Sequence, residues 1–326
     1  MANEIIGVDL GGTRVRAALL DKSLRIIRRE ETLTLAEGGL DATLDRIKAL
    51  IHLVLPTDGK PAGIGISAPG PLNPKTGVVV APPNLPGWHD VPLGDILSKE
   101  FGVPVYVGND ANVAALAEAV RGAAYGYRHA IYLTVSTGIG SGIITDGRLL
   151  LGRSGLAAEA GHMVMLVGDR TSTLELEAAG PDMATHAVKR IKAGEKSSIV
   201  DLVDGELDKV QGATVGIAAH QGDALALDVV RRSWSIIGSG IVTLLHLFNP
   251  DIIVIGGGVT ANLHDIAFEP MWDAIKAQSI DDDYWKDLKI VLPVLGEDVS
   301  VIGAGVLVAT NGGVADLTEV TRRFEG

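Results

Sequence analysis

The sequence predicts an α/β protein built from two related lobes. Three observations carry this. Short apolar runs of strand length alternate with segments whose apolar residues recur at helical spacing. A strand with its glycine turn at Val8-Asp9-Leu10-Gly11-Gly12-Thr13 is matched by the same order at Val135-Ser136-Thr137-Gly138-Ile139-Gly140. The length, 326 residues, suits two domains of ordinary size, each able to bury a core.

Ile5–Leu10 reads as a buried strand entering a tight turn, Arg14–Leu20 alternates as the second strand up to the turn Asp21-Lys22-Ser23, and Leu24–Leu35 follows as a third. Short connections make these an antiparallel meander. Leu40, Leu44, Ile47, Leu50, Ile51 and Val54 lie at helical spacing, so Leu40–Leu55 is a helix. Ala62–Ser67 is a strand stopped by Pro69-Gly70-Pro71, and Pro82–Pro92, with four prolines, is a loop. Val103–Val107 is a strand and Asp110–Val120 a helix. The pattern restarts with the strand His129–Ser136, a glycine turn at Thr137–Gly142, a strand around Ile143 and Ile144, and a turn at Asp146-Gly147. Helices at Leu174–Lys192 and Ala224–Phe248, a strand at Asp251–Ile255 ending in Gly256-Gly257-Gly258, a helix at Pro270–Ala277, a strand at Leu288–Pro293 and a helix at Val301–Ala309 complete the chain.

Composition narrows the function. With 28 Lys+Arg against 40 Asp+Glu, the net charge of −12 disfavours nucleic acid as the main partner but leaves room for a small phosphate ligand held by oriented backbone N–H groups. The absence of cysteine removes disulfides, thiolate zinc sites, iron–sulfur clusters and cysteine nucleophiles. Met1–Glu4 has no basic leader region, and the most hydrophobic stretch, Ile236–Gly258, is interrupted by His246, Pro250 and Asp251. The expectation is a soluble cytoplasmic protein with no membrane contact. No P-loop pattern occurs, and Gly138-x-Gly140-x-Gly142 lacks the spacing and the following helix of a dinucleotide fingerprint.

Several motifs can carry chemistry. In Asp9-Leu-Gly-Gly-Thr13 two glycines let the backbone approach a ligand and aim N–H groups at phosphate oxygens, Thr13 adds a donor, and Asp9 can hold Mg²⁺ through water. The same residues also make a plain β-hairpin turn. Thr137-Gly138-Ile139-Gly140 is a second turn of this kind, and the pair could clamp a polyphosphate. Gly256-Gly257-Gly258 reads either as a helix-entry loop or as a bed for the adenosine part of a nucleotide. Asp110, in Gly108-Asn109-Asp110-Ala111-Asn112, is placed as a helix cap or as a general base. Glu159 and His162 lie within one turn and could grip vicinal sugar hydroxyls, or simply decorate the surface. Glu175 begins a helix, where an acid also suits the dipole. His89 sits in the proline-rich loop, while the histidines at 52, 129, 186, 220, 246 and 264 read as structural.

Taken together, the chain resembles the ROK family (repressors, open reading frames and sugar kinases) of the sugar kinase/Hsp70/actin superfamily. The likeness runs through Ile6-Gly-Val-Asp-Leu-Gly-Gly-Thr13, Gly65-Ile-Ser-Ala-Pro-Gly-Pro71, Ala81-Pro-Pro-Asn-Leu-Pro-Gly-Trp88, Gly108-Asn-Asp-Ala-Asn112, Thr134-Val-Ser-Thr-Gly-Ile-Gly-Ser-Gly142, Glu159-Ala-Gly-His162 and Leu174-Glu175, in that order. The resemblance implies a two-lobed actin-like ATPase (ribonuclease H-like) fold, each lobe a mixed sheet flanked by helices, with residues 1–112 and 299–326 in a small lobe and 113–298 in a large one. It implies that Asp110 activates the 6-hydroxyl of a hexose. Asn84, Asn109, Glu159, His162 and Glu175 would bind the sugar, while Asp9, Gly11, Gly12, Thr13, Thr137 and Gly138 would hold the phosphates of ATP and Mg²⁺. Gly256 and Gly257 keep the adenosine role. Glucose is the expected substrate; N-acetylmannosamine, N-acetylglucosamine, fructose or allose are alternatives, as is a non-catalytic sugar-sensing regulator. A homodimer is the family expectation.

Two departures stand out. Many members carry a DNA-binding helix-turn-helix before the first strand, and here four residues precede Ile5, which argues against the repressor branch. The family also places a zinc site after the Gly-His pair, in a C-x-C-G-x-x-G-C-x-E arrangement. This chain runs His162-Met-Val-Met-Leu-Val-Gly-Asp-Arg-Thr-Ser-Thr-Leu-Glu175, shorter and without a thiolate, so no zinc is expected. A hydrogen bond from Asp169, Thr171 or Ser172 is the candidate substitute for orienting His162.

Overall fold

A computed structural model describes residues 4–322. In chain order the elements are β1 (Ile5–Leu10), β2 (Arg14–Leu20), β3 (Ile26–Leu33), α1 (Gly39–Leu53), β4 (Ile64–Ala68), β5 (Leu72–Asn73), β6 (Val78–Val79), α2 (Leu93–Phe101), β7 (Val105–Asn109) and α3 (Asp110–Arg121). There follow β8 (Ala130–Val135), β9 (Ile139–Thr145), β10 (Arg148–Leu149), β11 (Val164–Val167), β12 (Arg170–Thr173), α4 (Leu174–Ala178), α5 (Gly180–Lys192), α6 (Ile199–Leu202), α7 (Gly212–His220) and α8 (Ala224–Phe248). The chain continues with β13 (Ile252–Gly256), α9 (Gly258–Gln278), β14 (Lys289–Val291), α10 (Val299–Ala309) and α11 (Leu317–Arg322).

Two mixed sheets organise these elements, one in the order β3-β2-β1-β4-β7 and one in the order β10-β9-β8-β13-β14. In the first, β1, β2 and β3 form the expected antiparallel meander, and β4 and β7 join in parallel. The central strands β1 and β4 are covered on both faces, which is why they are largely apolar, Asp9 and Ser67 excepted. Ile6 and Val8 pack in a core with Ile47 and Ile51 of α1 and Leu93 and Leu97 of α2. On the opposite face α10 lies against the backbone. A Cβ at Gly65 would run into the carbonyl oxygen of Ala304, so only glycine permits this approach.

The chain separates into two compact units: residues 1–132, 142–158 and 293–326 in one, 133–141 and 159–292 in the other. The expected division at 112/113 and 298/299 is drawn elsewhere. Helix α3 packs on α10, so it is grouped with the first unit.

Several segments differ from the sequence reading: α6, α7 and α11 are additional helices, β5 and β6 are additional short strands, and β9 already begins at Ile139, inside the expected glycine turn. Leu93–Phe101 is a helix closed by Gly102 in the left-handed conformation at φ 63°. The helix expected over 174–192 is broken at Ala179 (φ −72°, ψ 167°), where Pro181 starts α5 afresh. The helix expected at Pro270–Ala277 extends back to Gly258 and carries Pro270 in its interior. The zinc-motif stretch is a β-hairpin, pairing Val164 with Thr173 and Val167 with Arg170. Among the described residues no helix is long and apolar enough to cross a membrane.

Candidate functional site

In the first unit the β1–β2 turn and the start of α3 collect one group of expected residues. Gly11 N–H donates to the Arg14 carbonyl at 3.0 Å, closing the turn, and Thr34 holds it from behind, donating through Oγ1 to the Gly11 carbonyl at 2.6 Å and through N–H to the Thr13 carbonyl at 2.9 Å. Gly11 N–H is therefore spent on the turn itself, while among the described residues no protein acceptor takes the N–H groups of Gly12 and Thr13. The Asn84 loop lies against this turn: a Cβ at Gly12 would stand 2.9 Å from that of Asn84.

Asp110 follows β7 and opens α3. Asn109 is the N-cap, its Oδ1 accepting from Ala111 N–H at 3.0 Å, and Asp110 Oδ1 accepts from the same N–H at 2.7 Å. The Asp110 side chain reaches solvent, yet desolvation by the protein around it raises its pKa above the ordinary 3.8, with the backbone hydrogen bonds opposing. Asp9, at the end of β1, is also raised, first by burial and then by the charge of Asp110; Arg16 and Ser300 pull the other way. Arg16, which sequence reasoning did not single out, stands directly across the ladder from Asp9, with 3.5 Å between Nη1 and Oδ2. The hairpin register set by the turn at 11–14 was the signal that could have found it.

In the second unit another glycine turn follows β8. Ser136 N–H donates to the Gly138 carbonyl at 2.9 Å, and the Ser136 carbonyl accepts from Gly180 N–H at 2.9 Å, bringing the start of α5 to the turn. Ile139 N–H donates to Oε2 of Glu175 at 2.8 Å. The same carboxylate explains Gly138, where a Cβ would sit 2.5 Å from that oxygen. Glu175 therefore braces the turn with one oxygen. Thr137 and Gly180 also edge a cavity of about 1200 Å³ walled by α5 and α7 and by Gly258 and Val259 at the start of α9. Gly256 and Gly257 lie behind that wall: the Gly256 carbonyl accepts from Thr260 Oγ1, and Gly257, at φ 93°, backs onto the Val135 carbonyl. The cavity-facing members of this loop are Gly258 and Val259, a place set by the packing of Gly257 on β8.

Glu159 and His162 flank the single helical turn Ala160–His162, and both are exposed. The turn rests on β9: Ala160 N–H donates to Ser141 Oγ at 3.3 Å, and Gly161 backs onto the Ile139 carbonyl. Glu159, His162 and Glu175 are thus all anchored on residues 139–141. Among the described residues no hydrogen bond joins Asp169, Thr171 or Ser172 to His162; Ser172 instead hydrogen-bonds Glu177. The stretch from His162 to Glu175 offers no thiolate, so the sulfur ligands of the family's zinc arrangement are missing from it.

This arrangement has close parallels among known proteins. A model of the ROK family matches residues 5–311. A glucokinase of Thermotoga maritima is 35% identical over 315 residues, covering 94% of this chain and 97% of that protein. The crystal structure of a ROK hexokinase from Thermus thermophilus superposes with a TM-score of 0.78 at 30% identity, covering 93% of this chain and 97% of that one. A ROK family glucokinase from Streptomyces griseus, in complex with glucose and AMPPNP, gives a TM-score of 0.75 at 30% identity, with 93% and 98% covered.

Proposed function

The chain belongs to the ROK family, and from that premise we propose that it is an ATP-dependent hexose kinase, transferring the γ-phosphoryl group of ATP to the 6-hydroxyl of glucose. The observation that carries this is Asp110: a solvent-reaching carboxylate at a strand-to-helix junction whose proton affinity is raised. A base of this kind takes the hydroxyl proton as the oxygen attacks phosphorus and ADP leaves. Raising the pKa strengthens the base that receives this proton.

The remaining roles follow from chemistry. Asn84, Asn109, Glu159 and His162, with the second oxygen of Glu175, would bind sugar hydroxyls, which need donors and acceptors together. The N–H groups of Gly12, Thr13, Thr137 and Gly138 would hold phosphate oxygens, and the cavity beside Gly258 would take the adenosine. Asp9 would hold Mg²⁺ through water. Bound ATP with Mg²⁺ supplies the transferred group and the counter-charge for it. A homodimer and a cytoplasmic location complete the proposal; light scattering tests the first.

The test is direct. Purified chain with glucose, ATP and Mg²⁺ should form ADP and glucose 6-phosphate, and Asp110→Asn should lower kcat by roughly 10²- to 10⁴-fold. Full activity in that variant would overturn the assignment of the base. Glucose binding in a calorimeter with no ADP formed from any hexose would overturn the kinase reading itself.

A further inference from the structure

His162 and Glu175 bracket the hairpin β11–β12, where the family pattern places zinc-binding cysteines that this chain lacks. Other contacts must hold the segment. At its base Leu174 N–H donates to the Met163 carbonyl at 3.0 Å, and Thr173 Oγ1 caps α4 by accepting from Leu176 N–H at 3.2 Å. Nearer the tip a side chain takes over. Arg170 forms an ion pair with Oε1 of Glu177, a residue of α4 whose side chain is wholly buried. The other oxygen of Glu177 accepts from Nη2 of Arg232, on α8, at 2.7 Å. Arg232 Nη1 lies 3.2 Å from Nε2 of His186, on α5.

Burial pushes Glu177 up, but the bonds from Arg232, Ser172 and Arg170 outweigh it and hold the group below the ordinary 4.5. His186 is held down, by burial first and then by Arg232, so it stays neutral and accepts from that guanidinium. One buried carboxylate thus ties the hairpin to α8 through two guanidinium groups. Only the carboxylate is buried, and a buried carboxylate paired in this way is poor evidence of net stability, so its role is sought in geometry.

We propose that Glu177, gripping Arg170 on the hairpin and Arg232 on α8, is a positioning residue that holds His162 and Glu175 in register for the hexose, the task that bound zinc performs in relatives with the cysteine motif. This rests on the assignment of those two groups to the sugar. The test uses chelator-washed full chain and three variants, Arg170→Ala, Arg170→Lys and Glu177→Gln. Arg170 is the primary site because its side chain is 55% exposed, so its removal spares the core. In Arg170→Ala the KM for glucose should rise about tenfold while the KM for ATP stays within about twofold; Arg170→Lys, which keeps the charge, should recover part of the loss. Amide exchange over residues 163–173 should speed up about tenfold in Arg170→Ala and Glu177→Gln, with α8 unaffected. An unchanged glucose KM in Arg170→Ala would overturn the proposal, as would stoichiometric zinc retained after chelation and required for glucose binding. If the wild-type chain phosphorylates no hexose, the kinase reading fails on that result, and the exchange measurement still decides the brace: no acceleration over 163–173 refutes it.

Discussion

Replacing Gly138 by alanine tests how the second glycine turn is built. The added methyl would stand 2.5 Å from Oε2 of Glu175, so the carboxylate has to retreat by roughly 1 Å to reach ordinary contact. The side chain is flexible, and the cost lies in what the retreat breaks: the bond from Ile139 N–H, now 2.8 Å long. A hydrogen bond to an ionised acceptor contributes about 1.5–3 kcal/mol. Against this, alanine restricts the unfolded chain, worth about 0.4–1 kcal/mol in its favour where the native φ permits, and Gly138 is not among the left-handed positions. The net expectation is a loss of roughly 1–2 kcal/mol, read by urea unfolding. In a Glu175→Ala background both the collision and the bond are gone, so the same substitution should become neutral or stabilising by about 0.4–1 kcal/mol. Equal destabilisation in the two backgrounds would refute the claim that Glu175 is what demands glycine at 138.

Three further outcomes are expected. The acid limb of kcat/KM against pH should fall as Asp110 takes up a proton, with a midpoint above the ordinary aspartate value of 3.8; a midpoint below it would contradict the raised pKa. Gly65→Ala should destabilise by about 3 kcal/mol or more, or prevent folding, because the methyl meets the backbone of α10 and nothing there can rotate away; a thermal melt within about 2 °C of wild type would disprove this packing. Asp223 caps α8, accepting from Ala226 N–H at 2.9 Å and from Ser198 N–H at 2.7 Å. Burial raises its pKa, but these bonds outweigh it and the folded value is lowered. Its stabilisation is therefore present above the unfolded pKa and lost as pH falls through the folded one, so Asp223→Ala should cost about 1–2 kcal/mol at pH 7 and progressively less as pH falls below the ordinary aspartate value in urea titrations.

The meander at residues 5–33, the helix Ala224–Phe248 and the order of motifs were legible because each is written in local periodicity and turn chemistry. Residues whose signal depends on a neighbour were harder to place. Leu93, Leu97 and Phe101 show helical spacing, yet the adjoining proline-rich loop obscured it. At Ala179 the break depends on Gly180 bonding to Ser136, a residue far away in the chain. Pro270 looked like a helix start because the glycines at 256–258 concealed the true one.

The α/β class, the paired glycine turns, the family likeness and Asp110 at a strand-to-helix junction could be read from residues adjacent in the chain, where local periodicity and turn chemistry act. Packing alone makes Glu175 spend one oxygen on Ile139, turns Gly257 to β8 and Gly258 to the cavity, and gathers Arg170 and Arg232 around Glu177. The absence of cysteine could say only that thiolates do not hold the segment after His162. What holds it instead is a carboxylate buried among side chains distant in sequence, and burial arises only when the chain has packed.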